Sequence, residues 1–133
     1  MRYMLTQNYG GVESDCAPMF EWTAEEIQAH LAFQETLNAQ LVERGEFVDA
    51  QALGMPDQAK TVVVDVHGVP VVTDGPYPES KELLAGYRIV DVETAERVFE
   101  IAAQISAAPG QGGLPIRQRI EVREVLSLAD AEL

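Results

Sequence analysis

Apolar and polar positions run in short alternating stretches set off by turn residues, broken by two longer segments of helical spacing. Arg2 to Asn8 alternates and stops at Gly10-Gly11, the pattern of a first strand. Thr23 is a good N-cap, and Glu26 three residues later completes a capping box, so a helix is predicted from there to about Arg44. Gly45 then occupies the C′ position, where a left-handed backbone is tolerated. Glu46 to Leu53 reads as a strand of weaker pattern, and Thr61 to Val66 as a strong β-branched one. His67-Gly68 makes a turn and Val69 to Thr73 returns as the hairpin partner. Pro70 has no N–H to give a ladder, which puts that strand at an edge or on a bulge. Gly86 to Val92 is a further strand. A second helix starts near Glu93, with Ala95, Val98, Phe99, Ala102 and Ile105 on one face, and Ile116 to Leu126 is the last strand.

The order is therefore β-α-β, a hairpin, and β-α-β again. Two helices against one mostly antiparallel sheet make an α+β two-layer sandwich. The split βαβ pattern points to a ferredoxin-like sheet with an extra hairpin. Such a sandwich leaves one sheet face uncovered. Val62, Val63, Val64, Val66, Val69, Val71 and Val72 place valine on both alternating sets, which predicts burial on both sides. The expectation that follows is a homodimer packed sheet against sheet.

Length and charge narrow the partners. The 133 residues suit one domain, 1–133, and 47% hydrophobic with 23% charged residues is a globular composition. Nine basic against 22 acidic side chains give −13, spread evenly: residues 1–60 carry 3 and 10, residues 61–133 carry 6 and 12. Nucleic acid and anionic membrane surfaces both want a basic patch, so neither is an expected partner. No stretch approaches a membrane span and the N-terminus lacks a signal-peptide pattern. With Cys16 as the single cysteine no intrachain disulfide forms, which fits a cytoplasmic location. Cys16 sits in an acidic segment that weakens a thiol nucleophile and reads as a loop thiol. The two histidines and one cysteine lack the spacing of a metal site, and no phosphate-binding glycine loop or dinucleotide fingerprint is present, so neither a metal nor a nucleotide cofactor is implied.

Two places carry candidate chemistry. At about 100° per residue, Leu41 and Leu37 lie about 20° to either side of His30, and Ile27 and Phe33 about 60°. His30 is thus central on the apolar face. It is either a core histidine satisfied by a carbonyl or a water, or a polar group converging on a pocket, where a nearby carboxylate would make it a general base. His67, in the hairpin turn, reads as an exposed turn residue. The second place is the run Asp74-Gly75-Pro76-Tyr77-Pro78-Glu79-Ser80-Lys81-Glu82. Two prolines stiffen it and it offers an acid, a hydroxyl and a cation. It is either a rigid connection with Asp74 in an Asx-turn or a loop holding polar groups in place.

That run resembles the Asp-Gly-Pro-Phe-Ala-Glu-Thr-Lys-Glu signature of the DGPF proteins, a branch of the YCII-related superfamily. Tyr77, Pro78 and Ser80 replace Phe, Ala and Thr. Tyr3-Met4-Leu5 is similar to the family's opening strand, Ala85-Gly86-Tyr87 to the Gly-Gly-Tyr after the signature, and Ile120-Glu121-Val122-Arg123 to its closing strand, with Glu124 where the family usually has Pro. The resemblance implies a ferredoxin-like subunit in a dimeric α/β barrel. Related YCII proteins carry a His-Asp pair proposed as catalytic, their His in an Ala-His-Leu motif that Ala29-His30-Leu31 matches. It therefore implies a catalytic role for His30, with Asp74 as the candidate partner.

Two functions are consistent with this reading. One is a small-molecule-binding protein that, as an enzyme, would use His30 as acid or base and Asp74 to orient it, with Gly75, Pro76, Tyr77, Glu79, Lys81 and Tyr87 holding or polarising the substrate. The other is a regulatory or interaction module. DGPF proteins are often encoded beside, or fused to, extracytoplasmic-function sigma factors, and an acidic surface suits a basic partner. The Gly-rich stretch from Pro109 to Pro115 reads as either a mobile flap or a loose connection.

Overall fold

The computed structural model describes residues 1–9, 19–75 and 83–127. Eight regular elements follow in chain order: β1 (Arg2–Tyr9), α1 (Ala24–Glu43), β2 (Phe47–Ala52), β3 (Lys60–Val64), β4 (Pro70–Asp74), β5 (Leu83–Asp91), α2 (Ala95–Ser106) and β6 (Glu121–Glu124). The main sheet has the order β2-β5-β1-β6 and every neighbouring pair is antiparallel. Hence β1 runs parallel to β2 with β5 between them, and β5 parallel to β6 with β1 between them. This is two interleaved split βαβ units, an α+β fold of two helices on a four-stranded antiparallel sheet. β3 and β4 pair only with each other, as a separate hairpin.

Helix α1 begins and ends where its sequence directs. The Thr23 hydroxyl accepts from the Glu26 N–H at 3.1 Å, and the Glu26 carboxylate accepts from the Thr23 N–H at 2.8 Å. At the other end Gly45 is left-handed, with φ of 72°. There the Gly45 N–H donates to the Val42 carbonyl and the Glu46 N–H to that of Leu41, closing a Schellman motif. One face of the sheet receives both helices. Tyr3 and Leu5 of β1 and Val90 of β5 form a core with Leu37 and Leu41 of α1 and Val98, Ile101 and Ile105 of α2. By strand alternation Met4, Thr6, Asp49, Tyr87 and Ile89 lie on the opposite face, which no helix among the described residues covers.

Four expectations need correction. The valine-rich strands do not join the main sheet: they form a separate hairpin, and in the single chain Val62, Val63, Val64, Val66, Val69, Val71 and Val72 are 40–95% exposed. The hairpin turn lies one position earlier than His67-Gly68. The Gly68 N–H donates to the Asp65 carbonyl, and the Asp65 carboxylate accepts from the N–H groups of His67 and Val69. Left-handed Gly68 completes a three-residue loop. On α2 the buried stripe is Val98, Ile101 and Ile105, and Phe99 is 58% exposed. About 100° separates Phe99 from Val98, enough to carry it off the stripe. The final strand is short because residues 116 and 117 are engaged elsewhere: the Ile116 N–H donates to the Ala108 carbonyl and the Arg117 N–H to that of Ser106, at the end of α2.

A carboxylate at the mouth of the core joins the two βαβ units. Glu46, just before β2, accepts from Arg97 Nε and Nη2 of α2, each at 2.9 Å, and from Arg44 Nε at 3.0 Å. These donors, Arg97 foremost, hold the Glu46 carboxyl below the ordinary glutamate value. Its folded value is lower than its unfolded one, so its contribution is complete above the ordinary value and is lost as pH falls from there through the lowered folded value. Glu46→Gln should cost about 2 kcal/mol at neutral pH. The gap between the two proteins' melting temperatures should close on acidification below about pH 4. Thermal denaturation from pH 7 to pH 3 checks both, and a gap that does not change with pH would contradict the assignment. Gly86 gives a second check. A Cβ there would come within 2.8 Å of the Gln51 carbonyl oxygen on β2, so Gly86→Ala should lower stability by about 1–3 kcal/mol in denaturant titration.

Candidate functional site

Between α1 and the sheet the apolar core gives way to a column of polar side chains. Alternation on β5 turns Arg88 inward, opposite Leu5 of β1 and Ala50 of β2. Only 5% of it is exposed, and burial pushes its guanidinium below the usual arginine range. Two amides on α1 answer it. Nε donates to Asn38 Oδ1 at 2.7 Å, and Nη2 donates to Gln34 Oε1. Gln34 Nε2 lies 3.4 Å from His30 Nε2, and His30 Nδ1 lies 3.0 Å from the Pro109 carbonyl oxygen. His30, Gln34 and Asn38 are each four residues apart, so one side of α1 presents all three.

The ends of this column fix its proton arrangement. Arginine can only donate and a carbonyl can only accept. Gln34 must therefore turn its oxygen to Arg88 and its NH₂ to His30. The imidazole then accepts at Nε2 and carries its hydrogen on Nδ1, which donates to Pro109. His30 is 7% exposed, and the Trp22 ring meets it edge-on, with centroids 5.4 Å apart and planes at 73°. The core reading of His30, a histidine satisfied by a carbonyl, describes these contacts, and the polar column beside it is the group of converging side chains that a pocket would use.

The Gly-rich stretch is a compact lobe laid against α1. The Gly110 N–H donates to the Leu114 carbonyl, the Gly113 N–H to that of Gly110, and Pro109 bridges to Pro115. Gly112 and Gly113 are both left-handed, which a side chain would strain. Two tethers hold the lobe: His30 to the Pro109 carbonyl, and the Glu26 carboxylate, which accepts from the Gly112 N–H. The Gly112 and Thr23 amides lower the Glu26 carboxyl below its ordinary range. Glu26 therefore caps α1 and anchors the lobe with the same carboxylate.

The remaining candidates lie apart. Asp74 ends β4, is strongly exposed, and is paired with Lys60 across the hairpin. No described hydrogen bond joins it to His30. The Gly75 N–H continues the hairpin ladder to the Ala59 carbonyl. Tyr87 faces the uncovered side of the sheet, opposite to Arg88, and donates to Asp49 Oδ2 at 3.0 Å; that carboxylate raises the phenol above its usual value. His67 is exposed in the turn. Pro76, Tyr77, Glu79 and Lys81 of the signature, like Cys16, lie outside the described residues. Sequence reasoning missed Arg88, Gln34 and Asn38. The signal that could have found them is a charged residue at an inward position of β5 facing two amides at i and i+4 on the helix.

The fold and the column define a small α+β protein with a buried polar centre under its first helix. A model of the YCII-related domain matches residues 1–121, and the chain belongs to that family. It is also similar to an uncharacterized protein of Rhizobium meliloti (strain 1021), 27% identical over 97 residues, which cover 72% of this chain and 77% of the relative. Among the described residues no helix is long and apolar enough to cross a membrane.

The lobe's dependence on His30 is testable. His30→Ala removes one tether and should lower stability by about 1–2 kcal/mol. Hydrogen exchange of the Gly110 and Gly113 amides should speed up several-fold while that of α2 stays unchanged. Equal exchange in the two proteins would show that the lobe holds without His30.

Proposed function

We propose that the protein is a homodimeric small-molecule-binding protein of the ferredoxin-like, dimeric α/β-barrel type, with its ligand site at the polar column under α1. The observation that carries this is the line Arg88–Gln34–His30, a set of aligned donors and acceptors closed off by one short lobe. Ligand sites take this form, apolar walls with few oriented polar groups. Opening the lobe at its two tethers would expose His30. In an enzymatic version His30 handles the proton, with Nε2 as the accepting atom, and Asp74 is the second member of the pair. Lys60 holds Asp74 in the single chain, so the pair requires the hairpin to move against α1. Pro76, Tyr77, Glu79 and Lys81 lie outside the described residues, and this reading keeps them as ligand-holding groups.

A thermal-shift screen of small metabolites against wild type, His30→Ala and Asp74→Asn tests the site. A ligand at about 100 times its dissociation constant adds roughly 2.7 kcal/mol, a shift of several degrees. A shift seen in wild type and lost in both variants supports the pair. Loss in His30→Ala alone removes Asp74 from the site. Retention in both removes the site.

The exposed hairpin supports the dimer. Its seven valines are 40–95% exposed and are shared between the two faces of the hairpin, so a second copy has an apolar face to cover. Residues 60–75 carry only Lys60, Asp65 and Asp74, a net −1 in a chain of −13, so two copies meet there with the least repulsion. Val63 and Val71 are opposite each other in the ladder, as are Val62 and Val72. Val63→Asp with Val71→Asp, or Val62→Asp with Val72→Asp, should convert the dimer to monomers in light scattering, with the helical circular dichroism retained. A wild-type monomer at tens of micromolar would end the dimer reading.

A second reading is favoured by the burial of His30 and the exposure of Asp74. With the lobe closed, the chain presents an acidic surface and an apolar hairpin, as an interaction module for a basic partner would, and a sigma factor of the extracytoplasmic-function type is the partner this reading names. A screen without any ligand shift favours it.

A further inference from the structure

Arg88 is buried, and among the described residues no carboxylate meets it. The chain has 22 acidic side chains for nine basic ones, so acids are in surplus. Other cations among the described residues take them: Arg44 and Arg97 share Glu46, Arg2 pairs with Asp91, Lys60 with Asp74 and Arg123 with Glu121. Arg88, with the least exposure of any described charged side chain, is answered by neutral amides alone. A buried charge without a counter-charge is costly, and folds retain one where something else supplies the opposite sign.

The geometry leaves a place for that charge. Asn38 and Gln34 occupy Nε and Nη2 and hold the guanidinium plane fixed. The second terminal nitrogen, Nη1, makes no hydrogen bond to a described residue. No fully buried side-chain nitrogen or oxygen among the described residues is without a partner, so an Nη1 without one is not fully closed off from solvent. A donor that is charged, oriented and still reachable matches an oxyanion, which takes guanidinium hydrogen bonds of the stronger, charge-assisted kind. In a chain of −13, an anionic ligand would be repelled by the general field and would need such a local cation.

We propose that Arg88 anchors an oxyanion site, and that the ligand of this protein carries a carboxylate or phosphate group that docks on Nη1 beside the Gln34–His30 pair. This rests on the ligand-binding reading above and names the ligand's class. It places the anion one amide away from the imidazole, so the neighbouring part of the ligand would lie within reach of His30.

The test titrates the full chain with sodium phosphate and, separately, sodium acetate at constant ionic strength, against sodium chloride, following the melting temperature. Wild type is compared with Arg88→Gln, Gln34→Glu and the exposed-turn control His67→Ala. Gln34→Glu offers Arg88 an internal carboxylate and should compete with the oxyanion while preserving the fold. A saturable rise with phosphate or acetate in wild type and His67→Ala, weakened at least tenfold in apparent affinity in both site variants, is the expected result. Which anion acts tells a phosphate ligand from a carboxylate one. A response no different from chloride, or one kept in the variants, overturns the proposal. If Arg88→Gln does not fold, Gln34→Glu decides, and a retained response there overturns it. Uncharged compounds in the same plate separate the two levels. If they shift the melting temperature through His30 and the oxyanions do not, the binding reading stands and the oxyanion site falls. If nothing shifts, both fall.

Discussion

A guanidinium held between a helix and a sheet has to be answered by hydrogen bonds, and in this protein helix α1 answers it. Arg88 cannot accept, so Gln34 and Asn38 must give it oxygens. Gln34 then has only its NH₂ left for His30, His30 must carry its hydrogen on Nδ1, and that hydrogen goes to the Pro109 carbonyl. One charge on β5 thus sets an amide orientation, a tautomer and the seat of a lobe nearly eighty residues away from the histidine in sequence. Each step follows from which atoms can donate. The angular position of α1 on the sheet is fixed by the same contacts together with Leu37 and Leu41 beside them.

The ion pairs divide the acidic charge into structural and free parts. Glu46 is bound by two arginines and joins the turn between α1 and β2 to the start of α2. Glu26 is bound by backbone amides and joins the start of α1 to the Gly-rich lobe. Most other carboxylates are exposed, where single pairs add little to stability. Their summed field is repulsive between like chains and is weakest where charges are sparse. The hairpin is such a place, and there the exposed valines of both faces stand on nearly uncharged strands.

How far the sequence could be read depended on whether the responsible contacts were local. Thr23, Glu26 and Gly45 bounded α1 because caps are made within a few residues. The strand order followed from alternation and from the resemblance of Asp74 to Glu82 and its flanking strands to a known family, and the YCII-related match over residues 1–121 agrees with it. The valines misled, because β-branched strands look alike whether they enter a sheet or leave it as a free hairpin. Phe99 misled because a stripe's centre has to be set by its neighbours across the core. His30 was singled out by the helical wheel, but Arg88, Gln34 and Asn38 were not, since no pattern along the chain pairs a strand residue with a helix fifty residues earlier.

The sequence by itself determined the elements, the caps, the split βαβ order, the acidic charge and the family, all of them local patterns or sums along the chain. The tertiary structure alone decided that Arg88 faces inward, that Tyr87 faces the other way, that Glu26 and His30 hold the lobe, and that Asp74 sits on the hairpin with Lys60. These are consequences of strand register and helix placement, where a shift of one residue exchanges the two faces of a sheet.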